Sequence, residues 1–260
     1  MEIIREPKVT LLARQQFLGH PDIDWKSDSD IDPQQLVEFA GRLCYMSFGK
    51  DAQVLGGHKT IEGRTTNQGY IANLLQVKHG SVLEHAAFTF LFEGISRALT
   101  HELVRHRAGF GYSQLSQRFV DESNIAFVLP PEVAEGTPAF DIWKEACENS
   151  LQHYRKLLEQ VTEQVADEPN ATLRRKRARQ AARAVLPNSA ETKIVVTANA
   201  RAWRHFIELR ASAAADAEIR KLAIAVLRVL QREAPDIFGD FKIEPHEDGT
   251  ETASTPYSKV

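Results

Sequence analysis

The residues of this chain that could do chemistry lie mostly between positions 105 and 118. Arg105-His106-Arg107 is followed by Tyr112-Ser113-Gln114-Leu115-Ser116-Gln117-Arg118, so guanidiniums and an imidazole lie close in sequence to hydroxyls and carboxamides. The rigid donor fork of arginine matches the oxygens of phosphates and carboxylates. The stretch therefore indicates a site for a phosphorylated ligand. The alternative is a solvated helix end that carries surface charges.

The residues in front of this stretch favour a site. Phe88-Thr89-Phe90-Leu91-Phe92 and Ile95-Ser96-Arg97-Ala98-Leu99 are too apolar for a surface loop, because apolar runs of this kind are buried. We therefore expect the arginines to emerge from a core into a cleft.

Composition is that of a soluble globular protein with one core. The chain has 260 residues, 43% hydrophobic and 26% charged, and lacks a linker rich in Pro, Gly or Ser, so we expect a single domain. A net charge of −3 argues against general affinity for nucleic acid. Cys44 and Cys147 lack metal-ligand spacing, and no apolar run has the length of a signal core or a membrane span. We expect reduced thiols, a cytoplasmic location and no membrane partner.

Hydrophobic periodicity predicts helices interspersed with strands. Asp32 is the expected N-cap of the first helix, and the remaining helices are predicted over 70–78, 96–105, 140–165, from the end of the 192–197 strand to 210, and over 216–233. Strands are predicted over 9–13, 86–92, 125–129 and 192–197. The polar segment Lys50–Gly69 predicts a mobile loop. Because no regular βαβ alternation is present, the predicted class is α+β, with a central, mostly antiparallel sheet flanked by long helices.

The sequence contains no obvious nucleophile, metal site or dinucleotide loop. Cys44 falls on an apolar helical face and Cys147 on the long helix, where thiols are packing residues. His79 and His85 lack a third ligand, so no metal is expected. Gly109-x-Gly111 follows a predicted helix instead of preceding one, which excludes a Rossmann fingerprint.

Two ordered blocks of residues resemble the flavin-dependent thymidylate synthase family, whose signature is Arg-His-Arg, seven residues, then Ser-x-Arg. The first block is His79-x-Ser81-x-x-Glu84-His85, Phe88-Thr89-Phe90, Arg105-His106-Arg107 and Ser113-Gln114-Leu115-Ser116-Gln117-Arg118. The second is Arg183-x-x-Leu186-Pro187, Asn199-Ala200-Arg201, His205-Phe206 and Leu209-Arg210-Ala211. The resemblance runs from about Asp32 to about Phe238, and it implies a family domain over residues 1–243. The polar composition of residues 244–260 predicts a disordered tail.

The resemblance implies methylation of a uridine monophosphate at C5 without a cysteine nucleophile. FAD would be the cofactor, NADPH and methylenetetrahydrofolate the co-substrates, and the protein a homotetramer with shared sites. It assigns to the flavin His79, Ser81, Arg105, His106, Arg107, Gln114, Asn199, Arg201 and His205. It assigns to the nucleotide Glu102, Gln114, Ser116, Gln117, Arg118, Arg183 and Arg210. Arg210 would be the catalytic residue, stabilising negative charge on the pyrimidine as N3 loses its proton.

Several positions depart from the family pattern. Eight residues separate Arg107 from Ser116 instead of seven, and Gly109 and Gly111 lie within this spacer. Glu102 stands where Gln is common, and Phe119 stands where Tyr is usual. A wider spacer and an added acceptor could suit a 2′-hydroxyl, as in family relatives that act on UMP, so dUMP and UMP both remain possible substrates.

Two other functions remain open. The basic run from Arg174 to Arg183 could bind nucleic acid, although aromatic residues are not interleaved with it, and a solvated helix face is the usual interpretation of such a run. The departures at Phe119 and at Ala213-Ala214 also fit a non-catalytic nucleotide- or flavin-binding protein.

Overall fold

The structure is a computed structural model that describes residues 1–23, 25–48 and 65–260. Two compact units are present, and each is built from three separate segments of the chain. The first unit consists of residues 1–8, 92–105 and 112–195, and the second consists of residues 9–91, 106–111 and 196–260. Because their segments alternate along the chain, no single linker divides them.

The elements in chain order agree with an α+β class. The strands are β1 (Ile3–Ile4), β2 (Lys8–Arg14), β3 (Ala87–Ser96), β4 (Phe110–Gln114), β5 (Phe127–Val128), β6 (Glu191–Asn199), β7 (Lys242–Pro245) and β8 (Glu251–Ser254). The helices are α1 (Asp32–Tyr45), α2 (Asn67–Gln76), α3 (Arg97–Leu103), α4 (Pro138–Gln164), α5 (Ala171–Ala182), α6 (Ala200–Arg210), α7 (Ala217–Glu233) and α8 (Pro235–Phe238). A four-stranded sheet has the order β2-β3-β6-β4. The predicted combination of helices with an antiparallel sheet is confirmed.

The first unit has its core under the long helix α4. Cys147 and Leu151 on this helix pack with Ile125, Phe127 and Ala190. The Cys147 thiol is buried and lies 3.4 Å from the Ser189 hydroxyl, which is the packing role predicted for this cysteine.

The second unit has its core between α6, α7 and the inner face of β3. Trp203 and Phe206 on α6 are fully buried, and the Trp203 indole nitrogen donates to the Phe88 carbonyl of β3 at 3.3 Å. Arg204 on the same helix is also buried, and its guanidinium donates to both carboxylate oxygens of Asp240 at 2.6 and 2.9 Å. A bidentate partner of this kind offsets much of the cost of burying a charge.

The predicted elements are found, but two local predictions need correction. Helix α1 begins at Asp32, and its N-cap is Ile31 instead of Asp32. The Asp32 carboxylate accepts from the backbone N–H of Phe17 at 3.1 Å, so a tertiary contact uses the oxygen that would otherwise cap the helix. Cys44, expected on an apolar face, is exposed near the end of α1.

The loop predicted over Lys50–Gly69 is only partly described. Residues 50–64 of that prediction lie outside the described residues. Helix α2 begins at Asn67, three residues earlier than expected, because the Thr66 hydroxyl accepts from the Gly69 N–H at 3.1 Å and caps it.

The disordered tail predicted over 244–260 is not what the structure contains. β7 and β8 pair as an antiparallel hairpin, and Ala253 is buried with its N–H bonded to the Ala211 carbonyl at 2.8 Å. The polar composition misled the prediction because the hairpin is held by backbone hydrogen bonds and by docking against α7. No helix in the described ranges is long and apolar enough to cross a membrane.

Candidate functional site

Helix α6 presents three of the predicted site residues in the second unit. The side chain of Asn199 caps the helix by accepting from the Ala202 N–H at 2.8 Å. Arg201 and His205 then lie four residues apart on one helical face, while Trp203 and Phe206 anchor the opposite face in the core. The cap, the buried face and the polar face together fix where the site residues point.

A cavity of about 240 Å³ opens beside this face. Its lining residues are Glu84, Ala108, Gly109, Asn199, Arg201, Ala202 and His205. Gly109 has a φ of +77°, and a Cβ at this position would lie 2.8 Å from the Asn199 amide nitrogen. A side chain at 109 would therefore be strained and would crowd the cavity.

Arg201 is held on one side of the cavity by an ion pair. Its Nη1 donates to Glu84 Oε1 at 2.6 Å, and both side chains are partly exposed. Glu84 belongs to the 3-10 turn Gly80–His85, in which residues three apart eclipse one another. Ser81 and Glu84 are therefore on the same side of this turn.

His106 is the most buried of the predicted site residues in the second unit. Its side chain is 7% exposed, and its ring packs edge-on against Phe206 at 5.3 Å and against His205 at 6.2 Å between centroids. Its Nε2 accepts a hydrogen bond of 3.0 Å from Nε of Arg210. An imidazole that accepts at Nε2 carries its proton on Nδ1.

The environment of His106 keeps this imidazole neutral. Burial lowers its pKa most, and the positive charges of Arg210 and His205 lower it further, to about 4. Arg210 is thus oriented by a partner that has no negative charge.

The remaining predicted flavin residues of the second unit are exposed. His79 precedes the turn Gly80–His85 and stacks on Tyr45, with an interplanar angle of 13° and centroids 6.4 Å apart. Ser81 and Arg107 are also exposed. Their side chains are available to a ligand or to a second subunit.

In the first unit, Gln114 ends β4 and is held by two threonines. Its amide nitrogen donates to the hydroxyls of Thr100 at 3.2 Å and Thr192 at 3.3 Å. These bonds use both N–H groups of the amide. The amide oxygen of Gln114 is the atom left to contact a ligand. We predicted that Gln114 contacts both the flavin and the nucleotide, and it would contact either one as a hydrogen-bond acceptor.

The segment Ser116–Arg118 forms a tight turn. The Ser116 carbonyl accepts from the N–H groups of Phe119 at 3.1 Å and Val120 at 3.0 Å, and its hydroxyl accepts from the Arg118 N–H at 3.4 Å. Arg179 on α5 donates to the Phe119 carbonyl and lies 3.6 Å from a carboxylate oxygen of Asp121. The turn therefore presents Arg118 to solvent while α5 fixes its far end.

The structure divides the predicted residues between the two units. The first unit holds Glu102, Arg105, Gln114, Ser116, Gln117, Arg118 and Arg183. The second unit holds His79, Ser81, His106, Arg107, Asn199, Arg201, His205 and Arg210. The residues predicted for the nucleotide lie in the first unit, and those predicted for the flavin lie in the second. The exceptions are Arg105, Gln114 and Arg210.

Sequence reasoning missed several residues that line the cavity. Glu84, Ala108 and Ala202 were not among the predicted site residues, and neither was Tyr45, which stacks on His79. The three-residue spacing of Ser81 and Glu84 could have indicated Glu84, but nothing in the sequence places Tyr45 beside His79. In the part of the chain that the structure describes, no group of His, Cys, Asp and Glu is arranged to bind a metal.

The basic run on α5 has structural partners. Ala178 and Ala182 are buried, Arg179 holds the turn after Ser116, and Arg177 lies 3.7 Å from a carboxylate oxygen of Glu168. These contacts account for part of the run within the fold and weaken the nucleic-acid interpretation.

Comparison with known proteins identifies the family. The family model for thymidylate synthase complementing protein matches residues 28–236. The chain is 53% identical over 250 residues to a flavin-dependent thymidylate synthase of Mycobacteroides abscessus, covering 96% of this chain and 95% of that protein. It is 51% identical over 249 residues to the one of Mycobacterium tuberculosis, with the same two coverages.

A solved structure shares the fold. The UMP/dUMP methylase PolB from Streptomyces cacaoi, bound with 5-Br UMP, superposes with a TM-score of 0.63 at 21% identity over 92% of this chain and 95% of that chain. These comparisons define the chain as an enzyme of the methyltransferase type. It belongs to the flavin-dependent thymidylate synthase family, as the resemblance of its motifs predicted.

The neutral state of His106 can be measured. We expect the ¹⁵N signals of its imidazole, assigned with His106→Gln, to remain those of a neutral ring down to about pH 5, because its pKa is about 4. This folded-state pKa lies below the ordinary 6.5, so the group contributes stability that is present above pH 6.5 and is lost as the pH falls towards 4. A midpoint near 6.5 in the folded protein would contradict this burial and charge environment.

Proposed function

We propose that this enzyme methylates a uridine monophosphate, dUMP or UMP, at C5. In this proposal FAD is the cofactor, methylenetetrahydrofolate donates the one-carbon unit and NADPH reduces the flavin. The names of the relatives at about half identity support the flavin and the reaction type. The substrate, the co-substrates and the residue roles are proposals.

The observation that carries the mechanism is the hydrogen bond from Arg210 to neutral His106. His106 holds Nε of Arg210 at 3.0 Å and thereby fixes the orientation of the guanidinium. We propose that this oriented guanidinium stabilises the negative charge on the pyrimidine as N3 loses its proton, which makes C5 a better carbon nucleophile.

The residues of the second unit fit a flavin. The cavity offers amide, guanidinium and imidazole donors from Asn199, Arg201 and His205, an acceptor from Glu84, and apolar contact from alanines. Gly109 allows the backbone to approach Asn199 closely, where a side chain would clash. His79, Ser81, His106 and Arg107 would complete the binding set, and Arg105 would reach the pyrophosphate. When bound and reduced, the flavin supplies hydride and carries the one-carbon unit.

The residues of the first unit fit a nucleotide. Arg118 and Arg183 would donate to phosphate oxygens, and Ser116 would position the nucleotide without acting as a nucleophile. Gln117 and the oxygen of Gln114 would contact the base or sugar. Glu102, on α3, would accept from a sugar hydroxyl.

A homotetramer with shared sites is also proposed. The cavity of about 240 Å³ lies below the range of roughly 300–1,000 Å³ that holds drug-sized ligands, so it could enclose only part of a dinucleotide. The exposed side chains of His79, Ser81 and Arg107 are suited to contact the rest of the cofactor from another subunit. A cytoplasmic location stays a prediction that rests on the two free cysteines.

A non-catalytic flavin- or nucleotide-binding protein remains the second candidate. Phe119 is 57% exposed where a tyrosine hydroxyl is usual in the family, and the Lys176 ammonium lies 4.1 Å from the centre of its ring. The deciding measurement is the formation of a C5-methylated nucleotide by purified, flavin-loaded protein supplied with all co-substrates. Tight nucleotide binding without product would favour the second candidate.

Arg210→Ala should keep the fold and the flavin but lose nearly all methylation. The substitution removes the oriented guanidinium, while Asn199 and His205 remain in place. We expect kcat to fall at least about 100-fold, the scale on which enzymes lose activity with one oxyanion donor. The control is Arg228→Ala, which breaks an exposed pair with Glu251. Normal turnover of Arg210→Ala at saturating nucleotide would refute the assignment.

Neither cysteine should be needed for methylation. Cys44 is exposed on α1, and Cys147 is buried on the inner face of α4. Burial raises the pKa of the Cys147 thiol, which disfavours its thiolate. We expect Cys44→Ser and Cys147→Ser to retain turnover once any loss of folded protein is corrected for. Loss of turnover with unchanged fold and flavin content would instead support a covalent mechanism.

The eight-residue spacer should admit UMP as a substrate. The hypothesis is that the extra residue widens the sugar end of the nucleotide site. Phe110 packs against Trp203 with ring centroids 5.2 Å apart. The conformational freedom of the spacer must therefore lie in the residues beside Phe110. Deleting Gly109 should lower kcat/KM for UMP more than for dUMP.

Gly109 also borders Asn199, which we assign to the flavin. The values of kcat/KM for the deletion variant and the unmodified enzyme are therefore compared per bound flavin. A site that bonds the 2′-hydroxyl would prefer UMP by roughly 1–3 kcal/mol. If the unmodified enzyme rejects UMP altogether, the hypothesis is wrong and the enzyme acts on dUMP alone.

A further inference from the structure

Four side chains in the first unit bury atoms that have no hydrogen-bond partner within the described part of the chain. One is the indole nitrogen of Trp143, and the other three are Nη1 of Arg97, Nε2 of Gln117 and Oε1 of Glu122. Gln117 and Glu122 are each only 5% exposed. Buried polar groups are nearly always bonded, so several unbonded ones in one unit indicate a bound group. Two of the three atoms are donors.

These residues are held in place by the backbone and not by one another. The Arg97 N–H donates to the Ala190 carbonyl at 3.0 Å at the start of α3. The Glu122 N–H donates to the hydroxyl of buried Tyr154 at 3.1 Å. Gln117 lies in the turn that begins at Ser116. Their side chains are therefore positioned without satisfying each other's hydrogen bonds.

Two arginines lie close together in this cluster. Arg183 is close enough to Arg97 for its charge to lower the pKa of the Arg97 guanidinium, although burial lowers that pKa more. Glu122 faces Arg97 as its nearby cation, with Glu191 and Asp121 as like charges. An anion that accepts from both Arg97 and Arg183 would offset the repulsion between them.

We propose that Arg97 binds the phosphate of the nucleotide together with Arg183, and that Glu122 takes up a proton when the phosphate arrives. This inference rests on the proposed function, because it takes a nucleoside monophosphate as the ligand. The protonated carboxyl then has no charge to repel the phosphate, and Arg97 is released to donate to it. Gln117 supplies a further donor from the turn.

Proton uptake follows from the electrostatics of the cluster. Burial is the largest cause that raises the pKa of Glu122, with opposition from Arg97, and the value is about 7. A phosphate dianion on Arg97 and Arg183 would remove much of that opposition and raise the pKa further. The Glu122 carboxyl of the complex therefore loses its proton at a higher pH than that of the free enzyme. Nucleotide affinity should weaken as the pH rises above 7.

The test is calorimetric titration of the flavin-loaded enzyme with dUMP at pH 8 in two buffers of different ionisation enthalpy. We expect net proton uptake by each site on binding, because the pKa of Glu122 rises when the phosphate is bound. Glu122→Gln, which is neutral at every pH, should bind dUMP without uptake and with a flatter pH profile. The control is Glu132→Gln, the same change at an exposed carboxylate, which should behave as the unmodified enzyme.

A second variant tests Arg97 without depending on Glu122. Arg97→Lys keeps the charge but loses the planar fork, and we expect dUMP affinity to fall roughly tenfold or more. Arg177→Lys, at an exposed position on α5, is the control and should bind normally. Thermal unfolding of each variant separates a loss of fold from a loss of binding.

The outcomes separate this inference from the function on which it rests. Binding of dUMP with no proton uptake by the unmodified enzyme, or with equal uptake by Glu122→Gln, overturns the role of Glu122 and leaves the methylase proposal standing. Unchanged affinity in Arg97→Lys overturns the phosphate contact. Failure of the folded, flavin-loaded enzyme to bind dUMP or UMP at all overturns the proposed function and this inference together.

Discussion

The hydrogen bond between the buried imidazole of His106 and Arg210 is the interaction on which the proposed chemistry depends. Helix α6 carries Arg204 and Arg210, and the hydrogen-bond partners of these two arginines differ. Arg204 is buried against the carboxylate of Asp240 and serves the fold. Arg210 is held by a ring that burial and neighbouring positive charges keep neutral. The first arrangement stabilises a buried guanidinium within the core, and the second fixes the orientation of a guanidinium through its Nε.

The aromatic packing around His106 is therefore part of the electrostatics of the site. Phe110 and Phe206 contact the ring with centroids 5.8 and 5.3 Å away, and they exclude the water that would stabilise an imidazolium. The first unit contains a related arrangement, in which desolvation raises the pKa of the Glu122 carboxyl beside Arg97. In both places burial is the main cause that shifts the pKa of a titratable group beside an arginine.

Some of these features could be predicted from residue patterns. The spacing of apolar residues predicted α1, α4 and α7, and Ser96 and Asp216 lie at the expected starts of their helices. The ordered motifs were sufficient by themselves to indicate the family. The predictions failed where a local preference lost to a distant contact: Asp32 bonds Phe17 instead of capping α1, and the polar tail forms a hairpin because Ala253 bonds Ala211.

By itself, the sequence determined the α+β class, the family and the residue types available for anion binding, because periodicity and motif spacing are local properties of a chain. Only the tertiary structure decided that Tyr45 stacks on His79, that Gln114 uses its amide protons on threonines, and that Glu84 pairs with Arg201. It also decided the protonation of His106 and Glu122. Burial and the field of neighbouring charges set a pKa, and both arise only when segments distant in sequence are packed together.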